Sequence, residues 1–414
     1  MHTNFNERSF ASVIRAGDSR RFNVNLAAQR KTVIDAAIAT ANDKSFSFGP
    51  IKSTPIKGRD CSSISDYSQN LVLRLTSKHI TRRLKIELKN RDRIVKSVIE
   101  SLSDSTPIYI LRRDISSFYE SIPIAIIKEK MSAGTYLPAT IKKFINAYFS
   151  DLCANSSQGI PRGIPLSPIF AEISMIDFDN TIRSLDGVYR YFRYSDDILV
   201  MSYKDPIEIE KALVKHLPAG MKFNKNKEEN IELICKSKER KIEKSFEYLG
   251  YKYTMSDLSK SKEPREIKVS IADKKISKIK TRIFCSLKSY AKDKNFNLLH
   301  DRIRFLAGNI TVLRHGASAV KTSRQVKSGI YYNYKLCGIY NGSTINSHGC
   351  NELKSLDAFY YSLLKNSKNI GAQLNKIELD KLKVISFYKG YSLKHSFNLK
   401  PSKMATIKRA WRNV

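Results

Sequence analysis

Two apolar runs, Tyr189-Arg190-Tyr191-Phe192 and Ile198-Leu199-Val200-Met201, flank the tetrapeptide Tyr194-Ser195-Asp196-Asp197. This pattern predicts a β-hairpin that holds two adjacent carboxylates at its tip. Carboxylates side by side repel, so keeping both ionised on a tight turn is unfavourable unless cations neutralise them. Aspartate is also favoured in turns for its own hydrogen bonds, and an isolated pair is more often only a turn. The rest of the chain has to decide between the two readings.

A third carboxylate, Asp114, follows Ile108-Tyr109-Ile110-Leu111, which reads as a short buried strand, and the chain is expected to turn helical after it. Carboxylates converging from separate elements are what a two-metal site needs, with ions about 3.5–4 Å apart. Between Asp114 and the Asp196/Asp197 pair lies QGIPRGIPLSPIFAEISM, where Gly159, Pro161, Gly163, Pro165, Ser167 and Pro168 predict a rigid loop. The loop should open a helix from Ile169 to about Asp179, and glycine lets backbone approach a ligand closely.

These segments, in this order and spacing, resemble the reverse transcriptases over roughly residues 65–255. DISSFY, QGIPRGIPLSP, YSDD, FNKNKEEN and FEYLGYKY resemble five successive palm motifs of that family. The resemblance implies an RNA-directed DNA polymerase using deoxynucleotides and two Mg²⁺ ions, for which Mn²⁺ can substitute. It makes Asp114, Asp196 and Asp197 the catalytic metal ligands and Tyr119 the gate that excludes a 2′-hydroxyl. Arg162 stands where many members carry a nucleotide-contacting glutamine; arginine can instead bind phosphate or stack on a base. Gly163 lies beside it, Lys227 matches the lysine that assists the leaving pyrophosphate, and Leu249, Gly250 and Tyr251 match the primer grip. The run KNRDRIVKSVIESL reads as an amphipathic helix with Ile94, Val98 and Leu102 on one face. Its Arg91 and Arg93 are candidates for reaching a triphosphate. Tyr119 also reads as a core aromatic, and Lys227, Arg91 and Arg93 as solvated surface charge.

Charge agrees with a polyanionic partner. The chain carries 73 Lys plus Arg against 39 Asp plus Glu, a formal net charge of +34. The excess is uneven: residues 251–414 hold 33 basic and 10 acidic residues, against 40 and 29 in residues 1–250. Such a field attracts nucleic acid through its phosphates. Within the basic part, KKISKIKTRIFCSLKSY sets Ile276, Ile279, Ile283 and Leu287 at helical spacing, with cations including Lys275, Lys278 and Arg282 on other faces. A helix of that kind suits a thumb gripping a duplex. GIYYNYKLCGIY offers Tyr331, Tyr332 and Tyr334 for stacking on unpaired bases or, more commonly, for packing. The only tryptophan, Trp411, sits in a basic tail.

The six cysteines, at 61, 153, 235, 285, 337 and 350, show no paired metal-ligand spacing. They read as reduced thiols of a cytoplasmic protein. No apolar run approaches the roughly 20 residues that span a bilayer, so no membrane partner is expected. Residues 45–63 read as a linker or extended loop, and SDLSKSKEPRE as a boundary. The expected fold is α+β: a right-hand polymerase with fingers, ferredoxin-like palm and helical thumb, followed by a basic, mostly helical C-terminal region. The division is 1–105 for the N-terminal region and fingers, 106–255 for the palm, and 256–414 for the thumb and C-terminal region.

Within the family, the approach of NRDRIVKSVIESL to the first motif and the AEI after the Ser-Pro loop resemble bacterial anti-phage defence and abortive-infection reverse transcriptases. That resemblance implies a structured noncoding RNA template and a DNA or RNA–DNA hybrid product. A retron-like or group II intron-derived enzyme remains an alternative, as does a basic RNA-binding scaffold without activity. Tyr119 disfavours an RNA-dependent RNA polymerase.

Overall fold

In the computed structural model the described residues are 4–15, 17–49, 51–56, 58–132, 137–152, 159–234, 243–256, 264–314, 324–342 and 344–411. The chain forms two compact units that interleave along the sequence. One comprises residues 1–91, 107–232 and 314–324, the other 92–106, 233–313 and 325–414. The sequence reading divides the chain serially instead, at 105/106 and 255/256. The charged stretch read as a boundary, 256–266, lies for the most part outside the described residues.

The first unit begins with helices, the longest being Arg30–Asn42, followed by a hairpin of β1 (Ile51–Ile56) and β2 (Arg59–Ile64). This hairpin corrects the loop expected at 45–63. Its strands carry lysine, serine and Pro55 rather than alternating apolar residues, so no period-2 signal announces them. The helix Tyr67–Arg83 follows, its first turn capped by the Asp66 side chain.

A four-stranded sheet is the centre of this unit. It contains β3 (Ile108–Asp114), β4 (Val188–Tyr194), β5 (Asp197–Ser202) and β6 (Glu229–Leu233), in the order β4-β5-β3-β6. Helices intervene between β3 and β4 and between β5 and β6, which is the connectivity and strand order of a ferredoxin-like sheet. The interior strand β5 buries Ile198 through Met201 without alternation, as a strand covered on both faces does. The helix Ile176–Ser184 packs on β4, and the helix Ile207–His216 on that helix.

Two expectations are corrected here. After Asp114 the chain makes turns through residues 116–122 rather than a helix, and Ser117 has a φ of +46°. The single helix expected over 169–179 is two, Ser167–Ser174 and Ile176–Ser184, separated at Met175, whose ψ near zero breaks the helical repeat.

The second unit contains the helix Arg91–Leu102 apart from its first residue. This helix buries Ile94, Val95, Val98, Ile99 and Leu102. Arg265 donates to the carbonyls of Leu102 at 3.0 Å and Asp104 at 2.8 Å, satisfying acceptors that a helix end leaves open. The main sheet is antiparallel, made of β7 (Glu243–Tyr248), β8 (Tyr251–Ser256), β9 (Glu266–Ile271), then, after β10 (Asn309–Arg314) and β11 (Arg324–Gly329), β12 (Gly338–Asn341) and β13 (Thr344–His348). Its order is β13-β12-β9-β8-β7, while β10 and β11 form a smaller sheet with β14 (Ser396–Asn398).

The long helix Asp273–Asp293 matches the expected one, but its buried stripe lies in its second half, at Ile283, Ser286, Leu287 and Tyr290; Ile276 and Ile279 are half-buried. Trp411, 4% exposed, fixes the tail to this helix by donating from Nε1 to Ser286 Oγ at 3.0 Å. Cys61, Cys285, Cys337 and Cys350 are free thiols, and Cys153 and Cys235 lie outside the described residues. No helix among the described residues is long and apolar enough to cross a membrane.

Candidate active site

Backbone pairing brings the three aspartates together. Asp114 ends β3 directly opposite Asp197, the first residue of β5, and Asp197 is also paired with Tyr194 across the β4–β5 hairpin. Ser195 and Asp196 make the turn, with Ser195 in the left-handed region at φ +57°. The Ile115 N–H donates to the Asp196 carbonyl at 3.0 Å, so the turn is pinned to the residue following Asp114.

The local electrostatics are those of crowded acids. Burial raises the Asp196 carboxyl above its ordinary range and the charge of Asp114 adds to the shift, while Lys227 and Arg59 oppose it. Burial likewise raises Asp197, opposed by Arg112 and reinforced by Asp196 and Asp114. Arg112 Nη2 stands 3.6 Å from Asp197 Oδ1, an ion pair too long for a strong hydrogen bond. Lys227 Nζ donates to Asp114 Oδ1 at 2.7 Å. It arrives from the turn Lys225–Lys227, which the Asn224 N–H anchors to the Asp114 carbonyl at 2.8 Å.

The donor set suits a hard divalent cation: three carboxylates on adjacent strand ends, two held above their normal range by burial and by neighbouring carboxylate charge. Among the described residues no three acidic, histidine or cysteine side chains close tightly enough to form a ready-made metal cluster. The Lys227 ammonium supplies part of the missing charge at Asp114.

Tyr119, Arg162 and Gly163 lie beside this group. Burial raises the Tyr119 hydroxyl, and Ser195 and Arg162 oppose that shift. The Arg162 guanidinium lies 5.1 Å over the Tyr119 ring and holds Glu120 in a two-pronged pair, Nε to Oε1 at 3.0 Å and Nη2 to Oε2 at 3.2 Å. Burial alone would raise the Glu120 carboxyl, but Arg162 holds it below its usual range. Gly163 has a φ of +97°, and a Cβ there would stand 2.5 Å from the Ser62 carbonyl oxygen. The Ser62 N–H in turn donates to the Arg162 carbonyl at 2.7 Å. The β1–β2 hairpin, missed in the sequence, therefore seats the loop that carries Arg162.

Sequence reasoning also missed a buried charge group beneath the turn, formed by Arg193, Glu172, Asp179 and Lys89. Arg193 is 1% exposed and pairs with both Glu172 and Asp179 at 2.7 Å. Its signal is the alternation of β4, which turns Tyr191 and Arg193 inward together. Arg59, on β2, is a further missed cation: its charge reaches both Asp196 and Glu120.

The remaining candidates lie elsewhere in the fold. Arg91 and Arg93 are in the first turn of the helix Arg91–Leu102, with Arg93 exposed and Asp92 paired with Lys335 at 2.8 Å. Leu249 and Gly250, at φ +50° and +81°, form the two-residue turn between β7 and β8, closed by the Tyr248–Tyr251 pair. The Tyr251 hydroxyl donates to the Asn333 carbonyl at 3.3 Å. On the helix Asp273–Asp293, Lys275 is exposed, Lys278 half-buried, and Arg282 half-buried with its guanidinium 5.7 Å over Trp411. Tyr331 and Tyr334 pack against Tyr391 and Tyr251 respectively.

Residues 62–253 match the family model described as reverse transcriptase (RNA-dependent DNA polymerase). The matched stretch, just under half of the chain, is similar to a reverse transcriptase domain. Among solved structures, apo telomerase from Candida tropicalis truncated from its C-terminal domain is similar at 13% identity and a TM-score of 0.36, over 56% of each chain. Telomerase from Candida tropicalis in complex with the TWJ fragment of telomeric RNA is similar at 12% identity and 0.35, over 88% of this chain and 62% of that one. Its Candida albicans counterpart shows 13% and 0.31, over 83% and 54%. These are remote likenesses, and the chain spans 54–62% of the telomerase chains it matches. No curated protein matches the chain.

Proposed function

We propose that the protein extends a priming hydroxyl with deoxynucleotides by copying an RNA template. The observation that carries this reading is the strand register setting Asp114 opposite Asp197, with Asp196 on the adjoining turn. Asp114 and Asp196 would hold one cation and Asp197 would help hold a second. Two Mg²⁺ ions, or Mn²⁺ in their place, would when bound activate the attacking hydroxyl and steady the leaving pyrophosphate.

The chain's own groups orient the rest. Tyr119 lies under the sugar and discriminates against a 2′-hydroxyl. Arg162 and the Gly163 backbone receive the nucleotide, and Lys227 leaves Asp114 to meet the leaving group. Arg91 and Arg93 supply further positive charge toward the triphosphate. Leu249, Gly250 and Tyr251 hold the primer strand, and Lys275, Lys278 and Arg282 meet the phosphates of an RNA–DNA hybrid. In this reading residues 1–105 belong to the N-terminal region and fingers, 106–255 to the palm, and 256–414 to the thumb and basic C-terminal region.

The finer biology rests on the sequence resemblance around NRDRIVKSVIESL and the AEI of the second motif. It is bacterial anti-phage defence in the cytoplasm, with a dedicated structured noncoding RNA as template. Purified protein with its co-purifying RNA retained, given labelled deoxynucleotides or ribonucleotides and Mg²⁺, tests the activity. DNA made by the wild type and not by an Asp196→Ala/Asp197→Ala variant with intact RNA binding supports the reading, and sequencing the product identifies the template. No incorporation despite bound RNA would count against it.

A further inference from the structure

Every N–H of the Arg193 guanidinium is committed. Nε donates to Asp179 Oδ1 at 2.7 Å, and Nη2 donates to Asp179 Oδ2 and Glu172 Oε2, both at 2.7 Å. Nη1 donates to Glu172 Oε1 and to the Ser195 carbonyl, both at 3.2 Å. Arginine has five such donors, and here four end on two carboxylates while the fifth ends on the aspartate turn. Asp179 also accepts from the Tyr191 hydroxyl at 2.6 Å and faces the Lys89 ammonium at 3.4 Å. Two cations and two anions thus balance in a buried site, where an arginine left without either partner would be strongly unfavourable.

The bond to Ser195 matters because of where that carbonyl sits. The peptide unit preceding Asp196 contains the Ser195 carbonyl, held by Arg193. The unit following Asp196 contains its own carbonyl, held by the Ile115 N–H at 3.0 Å. With both flanking peptide planes pinned, the φ and ψ of Asp196 are determined, and so is the direction in which its carboxylate leaves the backbone. Ser195 needs such restraint, since a serine at φ +57° occupies a region that L-residues disfavour.

We propose that Arg193 is a positioning residue for the polymerase reaction: clamped by Asp179 and Glu172, it sets the peptide plane that aims the Asp196 carboxylate. This builds on the function proposed above. Lysine cannot replace it, because a single ammonium cannot grip two carboxylates in fork geometry and also reach the turn.

The test compares wild type with Arg193→Lys by two independent readouts, Mn²⁺ affinity by electron paramagnetic resonance without nucleotide, and single-nucleotide incorporation. Removing a group that orients a ligand lowers metal affinity or activity by roughly 10- to 100-fold. We expect weaker Mn²⁺ binding and a lower kcat in that range, with primer–template affinity within about 2-fold of wild type. A merely structural role would lower thermal stability and leave Mn²⁺ affinity unchanged in the folded protein, and that result overturns the proposal.

If Arg193→Lys does not fold, Glu172→Gln decides. It keeps the shape of the clamp and removes one charge, so Mn²⁺ binding should weaken, and wild-type affinity would refute the role. A wild type that binds Mn²⁺ yet incorporates no nucleotide would remove the polymerase reading while the Mn²⁺ comparison still judges Arg193. A wild type that does neither overturns both.

Discussion

Asp114 and Asp197 face each other across β3 and β5, the last residue of one strand opposite the first of the next. Both backbones are fixed by the sheet, so the separation of these acids does not depend on a loop. Lys227 at 2.7 Å from Asp114 completes the arrangement. Replacing any of Asp114, Asp196 or Asp197 by asparagine should therefore lower nucleotide incorporation by about 100-fold or more, on the scale of losing a preorganised charged group. Lys227→Met should spare the fold and lower kcat more than it raises KM, measured by single-turnover incorporation.

The raised Asp196 and Asp197 carboxyls predict two opposite pH effects. Incorporation requires both ionised, so it should fall as pH drops through a window above the ordinary carboxylate value of about 4. Stability runs the other way. A carboxyl whose folded pKa lies above its unfolded one binds its proton more tightly when folded, so the folded state is favoured at acid pH and loses that advantage as pH rises through the same window. Asp197→Asn should consequently melt a few degrees above wild type at neutral pH while being inactive, a trade-off common at strained sites. Mn²⁺ should raise the melting temperature of wild type and not of the asparagine variant, as read by differential scanning fluorimetry.

How much of this was legible depends on whether burial followed a simple period. The hairpin around Asp196 and the strand ending at Asp114 announce themselves because β5 and β3 bury apolar runs, and the helix Arg91–Leu102 because Ile94, Val98 and Leu102 recur on one face. The β1–β2 hairpin does not, since its mostly polar, exposed strands are stabilised by backbone pairing and by contact with the Arg162 loop. Arg193 looks in sequence like one more charge of a basic chain. The alternation of β4 turns it inward with Tyr191, but only the fold brings Glu172 and Asp179, distant by 21 and 14 residues, to meet it. Met175 broke a predicted helix for a reason no composition rule carries.

The Arg162–Glu120 pair implies competition for the guanidinium. If Arg162 receives nucleotide phosphate, Glu120 must release it, so Glu120→Gln should lower the KM for deoxynucleotides and Arg162→Ala should raise it. Both side chains are partly exposed, and such a pair contributes only about 0–1 kcal/mol to stability. Melting temperatures should therefore stay near wild type while the two KM values move in opposite directions.

Gly163→Ala should act through the fold. The added methyl would stand 2.5 Å from the Ser62 carbonyl at a φ of +97°, so either the hairpin moves away or the loop distorts. Backbone placed in a disfavoured region costs about 1–3 kcal/mol, and the Ser62–Arg162 hydrogen bond would be lost with it. Limited proteolysis should show earlier cleavage near residues 51–64 in the variant, along with a reduced kcat/KM for nucleotides.

In the proposed function Tyr119 has two parts, a ring that gates the sugar and lies under Arg162 and a hydroxyl that burial raises. Two substitutions separate these contributions. Tyr119→Ala removes the ring, opening the space in which a 2′-hydroxyl would sit and taking away the surface over which Arg162 lies. Ribonucleotide incorporation should rise relative to deoxynucleotide by at least about 10-fold, the size of discrimination a steric pocket supplies. Tyr119→Phe keeps the ring and loses only the hydroxyl. It should preserve sugar discrimination and lower kcat for both nucleotide types less than Tyr119→Ala does, because the ring and the surface under Arg162 are retained. Competition assays with mixed nucleotides measure the first effect and single-turnover rates the second. Equal loss of discrimination in both variants would mean that the hydroxyl, rather than the bulk of the ring, does the excluding.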